Sequence, residues 1–195
     1  MTNFPVLFEN IDVAPIMSAL ERNPDLWNAI NSRSNFPESP HREASDIWLR
    51  YNDYQNFIDS PLTFNDPHIP VWYPAWKKLP ELKPIIFDLM GVLHGEMIGC
   101  VLITKVPAGK KVYKHVDQGW HVGYYDKFYV QIQGAEGCHF YCEDKGKTEE
   151  FAPKTGQVYL FDNRKLHWVH NDSAVDRITM IVCIRTQLFG RDKND

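Results

Sequence analysis

Hydrophobic and polar positions along the chain change their spacing near residue 95. Before it, Val13, Ile16, Met17 and Leu20 fall on one face of a helix that Asp12 can cap, with Pro15 tolerable in the first turn and Asn23-Pro24 as its end. Leu26, Trp27 and Ile30 suggest a second short helical piece, followed by a polar loop over 31–44 and, from its aromatic and apolar content, a strand over 46–51. Residues 60–80 interleave Pro61, Pro67, Pro70, Pro74 and Pro80 with aromatics, which predicts an irregular extended segment. Its Trp72, Tyr73 and Trp76 either line a groove or cover a core. Leu82, Ile85, Ile86, Leu89, Met90 and Leu93 then repeat at helical spacing, with Pro84 in the first turn and Gly95 placed to stop the helix.

After Gly95 the pattern becomes short β-like runs at 97–106, 111–115, 128–133, 137–142, 157–161, 167–171 and 177–184, separated by turns rich in Gly, Pro, Asn and Asp. Many short strands at near-regular intervals predict a sandwich or barrel. The expected organisation is a single domain over 1–195, with a helical and irregular layer over about 1–95 packed on a β-barrel over about 96–186.

Composition narrows the possible partners. The 195 residues are 44% hydrophobic and 24% charged, with formal net charge -4 and a pI near 6.0. No basic block is long enough to track phosphates, so nucleic acid is not an expected partner. The start lacks a basic region followed by an apolar run, and no later apolar run approaches spanning length, which predicts a soluble cytoplasmic protein without a membrane partner. Cys100, Cys138, Cys142 and Cys183 sit in or near strand-like sequence and read as reduced packing thiols. Nothing in the sequence sets an oligomeric state.

The chemistry concentrates between Lys114 and Arg185. His115 and Asp117 lie two residues apart, so on an extended strand they leave from the same face. A late strand carries His167 and His170 on opposite faces, and only one of them can face the barrel interior; His121, near Asp117, is either a cleft residue or a solvated loop residue. Two imidazoles and a carboxylate on one side of a metal form the facial triad of non-haem Fe(II) oxygenases. Arg177 and Thr179 share a strand face and offer a guanidinium fork and a hydroxyl to a carboxylate, unless Arg177 is a strand-end residue paired with Asp172 or Asp176. Trp120, Tyr124, Tyr125 and Trp168 are candidates for the wall of the site.

The block from Gly156 to Asn163 (GQVYLFDN), running into 166–172 (LHWVHND) and 176–179 (DRIT), resembles the aspartyl/asparaginyl β-hydroxylase family of Fe(II)- and 2-oxoglutarate-dependent oxygenases. Weaker similarity extends upstream through 115–117 and 107–109 to 48–50. The resemblance implies a double-stranded β-helix (jelly-roll, cupin-like) fold, mainly β, with an N-terminal helical layer. It implies His115, Asp117 and His167 as iron ligands and Arg177, with Thr179 beside it, as the anchor of the distal 2-oxoglutarate carboxylate, with Thr104 where a hydroxyl can assist. Lys127 and Tyr129 stand where the family has an Arg and a His for the other carboxylate. The implied cosubstrates are 2-oxoglutarate and O2, and the implied reaction is hydroxylation of an aspartyl, asparaginyl, prolyl or related side chain in a peptide or amino acid. Two other readings compete: a cupin-type oxygenase acting on an unrelated small metabolite, and a non-catalytic jelly-roll module holding a metal.

Overall fold

The computed structural model describes residues 2–187. In chain order the elements are β1 (Val6–Phe8), α1 (Ala14–Arg22), β2 (Ser45–Tyr51), α2 (Tyr54–Asp59), β3 (Val71–Trp72), α3 (Ala75–Lys78), α4 (Lys83–Val92), β4 (Met97–Val106), β5 (Lys111–His115), α5 (Trp120–Tyr124), β6 (Asp126–Gln133), β7 (Cys138–Asp144), β8 (Lys147–Phe151), β9 (Val158–Phe161), β10 (Leu166–Asn171) and β11 (Arg177–Arg185). They form two antiparallel sheets, a larger one in the order β1-β9-β6-β11-β4-β2-β3 and a smaller one in the order β5-β10-β7-β8. This is the expected mainly β, jelly-roll architecture.

Strand periodicity decides what each face of the larger sheet meets. On β11, Ile178, Met180, Val182 and Ile184 join the core under the helices, and Val101 and Ile103 of β4 and Phe128, Val130 and Ile132 of β6 join them. α1 and α4 close this layer with Ile16, Leu20, Ile86 and Leu89, all buried. Each such side chain contributes about 1.5–3 kcal/mol on full burial. The alternate residues, Cys100, Leu102 and Thr104, Lys127 and Tyr129, and Arg177, Thr179, Ile181 and Cys183, turn to the opposite face and line a cavity. β4 and β11 are therefore buried along nearly their whole length.

Several expectations change in detail. The division at residue 95 is not a division between layer and barrel: β2 pairs with β4, and β1 pairs with β9, so N-terminal strands complete the larger sheet. Without them the polar edges of β4 and β9 would stand unpaired. The piece around Leu26 is only a 3-10 turn over Pro24–Leu26, and Trp27 is already extended. The proline-rich stretch holds the short β3 and α3. Residues just past Asp117, expected as loop, form α5. The left-handed residue that ends α4 is His94, with φ of 49°. Gly95 follows and donates its N–H to the Met90 carbonyl at 2.9 Å, where a Cβ would stand 2.6 Å from Ile184 Cγ2.

The four cysteines are free and buried, as expected for packing thiols. Among the described residues, no helix is long and apolar enough to cross a membrane.

Candidate active site

β5 and β10 are hydrogen-bonded neighbours, and their register sets His167 opposite His115. The two rings lie 4.2 Å apart between centroids. Burial alternates along β10, with His167, Val169 and Asn171 inward and Trp168 and His170 outward, which selects His167 over His170. Each of the two inward imidazoles is oriented by its own strand: His115 Nδ1 contacts the Tyr113 carbonyl at 2.7 Å and His167 Nδ1 the Lys165 carbonyl at 2.8 Å. A carbonyl only accepts, so Nδ1 carries the proton and Nε2 keeps its lone pair. His115 Nε2 lies 3.4 Å from Asp117 Oδ1. Asn163 Nδ2 lies 3.3 Å from His167 Nε2, and the Asn163 backbone carbonyl accepts from Asp117 N–H at 3.0 Å.

The other carboxylate oxygen of Asp117 is paired with Lys127 Nζ. Burial would push the Asp117 carboxyl up, but the Lys127 ammonium outweighs it and holds it well below the usual range. Burial likewise pulls Lys127 down, and Asp117 outweighs it, leaving the ammonium above its ordinary value. His167 is pushed down to about 4 by burial, reinforced by His115. Ionised carboxylate and neutral imidazole are the forms that coordinate a metal ion.

These groups open into a cavity of about 750 Å³. Arg177 lines it and is only 3% exposed. Its Nη2 donates to Tyr159 Oη at 3.1 Å, and its buried Nε has no partner. The alternative pairing with a nearby aspartate is not formed: Asp176 lies 4.0 Å from Lys105. Thr179 and Tyr129 also line the cavity, their hydroxyls donating to Gln131 Oε1 at 3.0 Å and Asn163 Oδ1 at 2.9 Å. The Thr104 hydroxyl is committed elsewhere, donating to Asp46 Oδ1 at 2.9 Å and accepting from Arg33 Nη2 at 2.8 Å.

The pocket-wall expectation for Trp120, Tyr124, Tyr125 and Trp168 is not met, since none of them is among the lining residues. Trp168 lies on the outward face of β10 and stacks on Tyr141 at 5.2 Å, while the Tyr125 ring packs against Gly99. Trp72, Tyr73 and Trp76 cover a core: Trp72 stacks on Trp76 at 3.9 Å, and buried Tyr73 donates its hydroxyl to the Asn52 carbonyl. His121 is no solvated loop residue. It is buried at the cavity wall, and its Nε2 accepts the Cys100 N–H at 3.3 Å. Burial pushes it down to about 3.

The wall that sequence reasoning missed comes from the N-terminal segments. Trp48, Tyr51, Phe57 and Phe64 pack in one mainly aromatic cluster and, with Phe36, line the cavity, and Arg33 is neutralised by a two-point ion pair to Asp46 at 2.6 and 2.8 Å. His41 stands against His115, ring centroids 4.8 Å apart. No periodic pattern marks the loop that carries Arg33 and His41; the presence of an imidazole and a guanidinium there was the sole signal.

No protein-family model matches the sequence, and no curated protein matches it. Solved structures do match in fold. A prolyl hydroxylase from Trichoplax adhaerens, in complex with a hypoxia inducible factor oxygen degradation domain peptide fragment, superposes with TM-score 0.63 at 12% identity, covering 95% of this chain and 84% of the other. A 2OG-Fe(II) oxygenase family oxidoreductase from Burkholderia pseudomallei gives TM-score 0.57 at 17% identity, covering 94% and 84%. A prolyl-4-hydroxylase from Pseudomonas putida gives 0.54 at 13%, covering 95% and 93%. At these identities the likeness is one of fold, and the fold is the double-stranded β-helix with its N-terminal helical layer.

Proposed function

We propose that the chain is an Fe(II)- and 2-oxoglutarate-dependent dioxygenase, acting as a single domain, that hydroxylates a side chain of a peptide or amino acid. The observation that carries this reading is a cavity lined by His115, Asp117 and His167, His167 standing across the strand pair from His115, that also holds a buried guanidinium, Arg177, with an unpartnered Nε. The donor set suits iron(II), and the orphaned nitrogen suits a carboxylate. A non-catalytic metal module has no use for such an anion anchor.

When bound, iron(II) with 2-oxoglutarate and O2 supplies oxidising power, one oxygen atom entering a substrate C–H bond as the 2-oxo acid becomes succinate and CO2. The chain's own contribution is placement. The Tyr113 and Lys165 carbonyls fix the ring orientation of His115 and His167. Arg177, supported by Tyr159 Oη and beside Thr179, anchors the distal carboxylate of the cosubstrate. Lys127 and Tyr129, on the same wall, stand toward its other end, with the Lys127 charge shared with Asp117.

The fold likeness to prolyl hydroxylases, one of them holding a peptide, supports a peptide substrate. Within the aspartyl, asparaginyl and prolyl choices, the cavity favours a neutral side chain. Arg33 is paired with Asp46, Lys127 with Asp117, and Arg177 is assigned to the cosubstrate, so no cation among these three is left for a substrate carboxylate. The aromatic lining from Trp48, Tyr51, Phe57 and Phe64 is suited to a ring or an alkyl group.

Succinate formation from 2-oxoglutarate under air, with iron(II) and a panel of prolyl, asparaginyl and aspartyl peptides and free amino acids, tests the reading. Turnover stimulated by a neutral-side-chain substrate is expected. A metal-loaded protein that forms no succinate with any of them would return the site to a binding module.

A further inference from the structure

His41 belongs to the N-terminal segment, far in sequence from the candidate ligands, yet its segment is fastened to β5, the strand that carries His115. β5 is the edge strand of the smaller sheet, and the segment around His41 runs beside it. Tyr113 N–H donates to the Pro40 carbonyl at 2.8 Å. Glu43 accepts from the Lys111 N–H at 3.2 Å and from the Tyr113 hydroxyl at 2.9 Å. The Arg42 guanidinium lies 3.3 Å over the Tyr113 ring. On the other side of His41, its N–H donates to Ser39 Oγ at 3.1 Å. These tethers set the His41 ring edge-on to His115.

Three observations make this imidazole more than a neighbour. One donor atom each from His41, His115 and Asp117 lies within 4.8 Å of the others. Donor atoms this close can share one metal ion after side-chain rotation about bonds near the ring and carboxylate. His41 Nδ1 is buried and has no hydrogen-bond partner, whereas the Nδ1 atoms of His115 and His167 each meet a backbone carbonyl. A buried polar nitrogen left unpaired is costly, and a bound ligand or metal removes that cost. His41 also lines the cavity that holds Arg177.

We propose that His41 is a fourth, displaceable protein ligand, joining His115, Asp117 and His167 on the metal while cosubstrates are absent. The proposal rests on the metal-site reading above. A facial triad leaves one face of an octahedral ion open, and His41, with a donor atom within 4.8 Å of those of His115 and Asp117, would fill one position there. That position has to be vacated before the full set of cosubstrates assembles, so the segment around His41 acts as a built-in guard of the metal.

The test uses Co(II), an air-stable stand-in for iron(II), with the full-length protein and two variants. His41→Ala removes the imidazole; His41→Phe keeps a ring against His115 but has no donor nitrogen. Co(II) affinity, the visible ligand-field spectrum and 2-oxoglutarate affinity of the Co(II)-loaded protein are measured for each. Both variants should bind Co(II) about tenfold or more weakly, at least the loss seen when a group that merely supports a ligand is removed. Their spectra should shift, and added imidazole should restore the wild-type spectrum in His41→Ala. 2-Oxoglutarate affinity should be unchanged or tighter. Equal Co(II) affinity and spectrum in wild type and variants overturn the role of His41 alone. Loss of Co(II) and 2-oxoglutarate binding together, in both variants, makes His41 structural and also overturns it. A wild-type protein that takes up no Co(II) overturns the metal-site reading, and this proposal with it.

Discussion

Replacing Arg177 by Met separates stability from cosubstrate binding, because the two respond in opposite directions. The guanidinium is 3% exposed, holds one neutral partner in Tyr159, lies 5.9 Å from the Phe140 ring centroid and has an unpartnered Nε. A buried charge without a carboxylate partner is costly, and replacing buried ionic groups by apolar ones of similar volume is often neutral or stabilising by about 1–4 kcal/mol. The cosubstrate-free Arg177→Met protein should therefore melt at the wild-type temperature or above it. Removing one partner of a buried, hydrogen-bonded charge pair costs about 2–5 kcal/mol of affinity. At about 1.4 kcal/mol per tenfold, 2-oxoglutarate should bind roughly thirtyfold to several thousandfold more weakly. The assay is thermal unfolding with Mn(II), with and without 2-oxoglutarate. At a hundred times its dissociation constant a ligand adds about 2.7 kcal/mol. For a chain of this size that is a shift of roughly 5–10 °C. In Arg177→Met at the same concentration the shift should fall to about a third of the wild-type value or less, since roughly thirtyfold weaker binding leaves about 0.9 kcal/mol. A variant that melts lower without cosubstrate yet keeps the full shift would make Arg177 a structural residue and refute the anchor.

Three further outcomes are expected. Asp117→Asn should abolish metal uptake and, by leaving Lys127 buried and unpaired, cost about 3 kcal/mol; Asp117→Asn with Lys127→Met should recover stability in denaturant titrations but not metal binding, and recovery of both would remove Asp117 from the ligand set. His121 is held neutral, down to about 3 by burial, whereas the unfolded chain protonates it near its ordinary value of 6.5. Its contribution is thus fully present above pH 6.5 and is lost as pH falls toward 3, with a slope approaching about 1.4 kcal/mol per pH unit. His121→Gln should flatten the stability curve between pH 7 and pH 5, and parallel curves for variant and wild type would contradict the assignment. Gly99→Ala would place a Cβ 2.8 Å from the Tyr125 ring, so a loss of about 1–3 kcal/mol is expected, read as a lowered melting temperature; an unchanged one would show that the ring has room to move.

The legible part of this molecule is the part with a period. Alternation along β11 sends Arg177 and Thr179 to one face and Ile178 and Met180 to the other, and alternation along β10 turns His167 inward and His170 outward. Those patterns predict a sandwich or barrel, the resemblance implies the jelly roll and the roles of His115, Asp117, His167 and Arg177, and the structure sets all four residues at one cavity. Other strands hid for physical reasons. β8 reads KTEEF because it covers the outer edge of the smaller sheet in water, so it carries little apolar signal. β1 is too short to show alternation. His41 and Arg33 reach the site from a loop, held by contacts to β5 and Asp46 that no local pattern encodes. Trp168 misled for the opposite reason: proximity to His167 in sequence puts it on the other face of the same strand.

Anaerobic titration shows whether this cavity holds iron(II) and a 2-oxo acid together. Iron(II) is added to the metal-free protein, then 2-oxoglutarate, while the visible spectrum is followed for the charge-transfer band of a 2-oxo acid chelated to iron(II). At a 2-oxoglutarate concentration near the wild-type dissociation constant, the band is expected with wild-type protein and is lost in Arg177→Met. Iron uptake without a band at saturating 2-oxoglutarate would contradict that expectation.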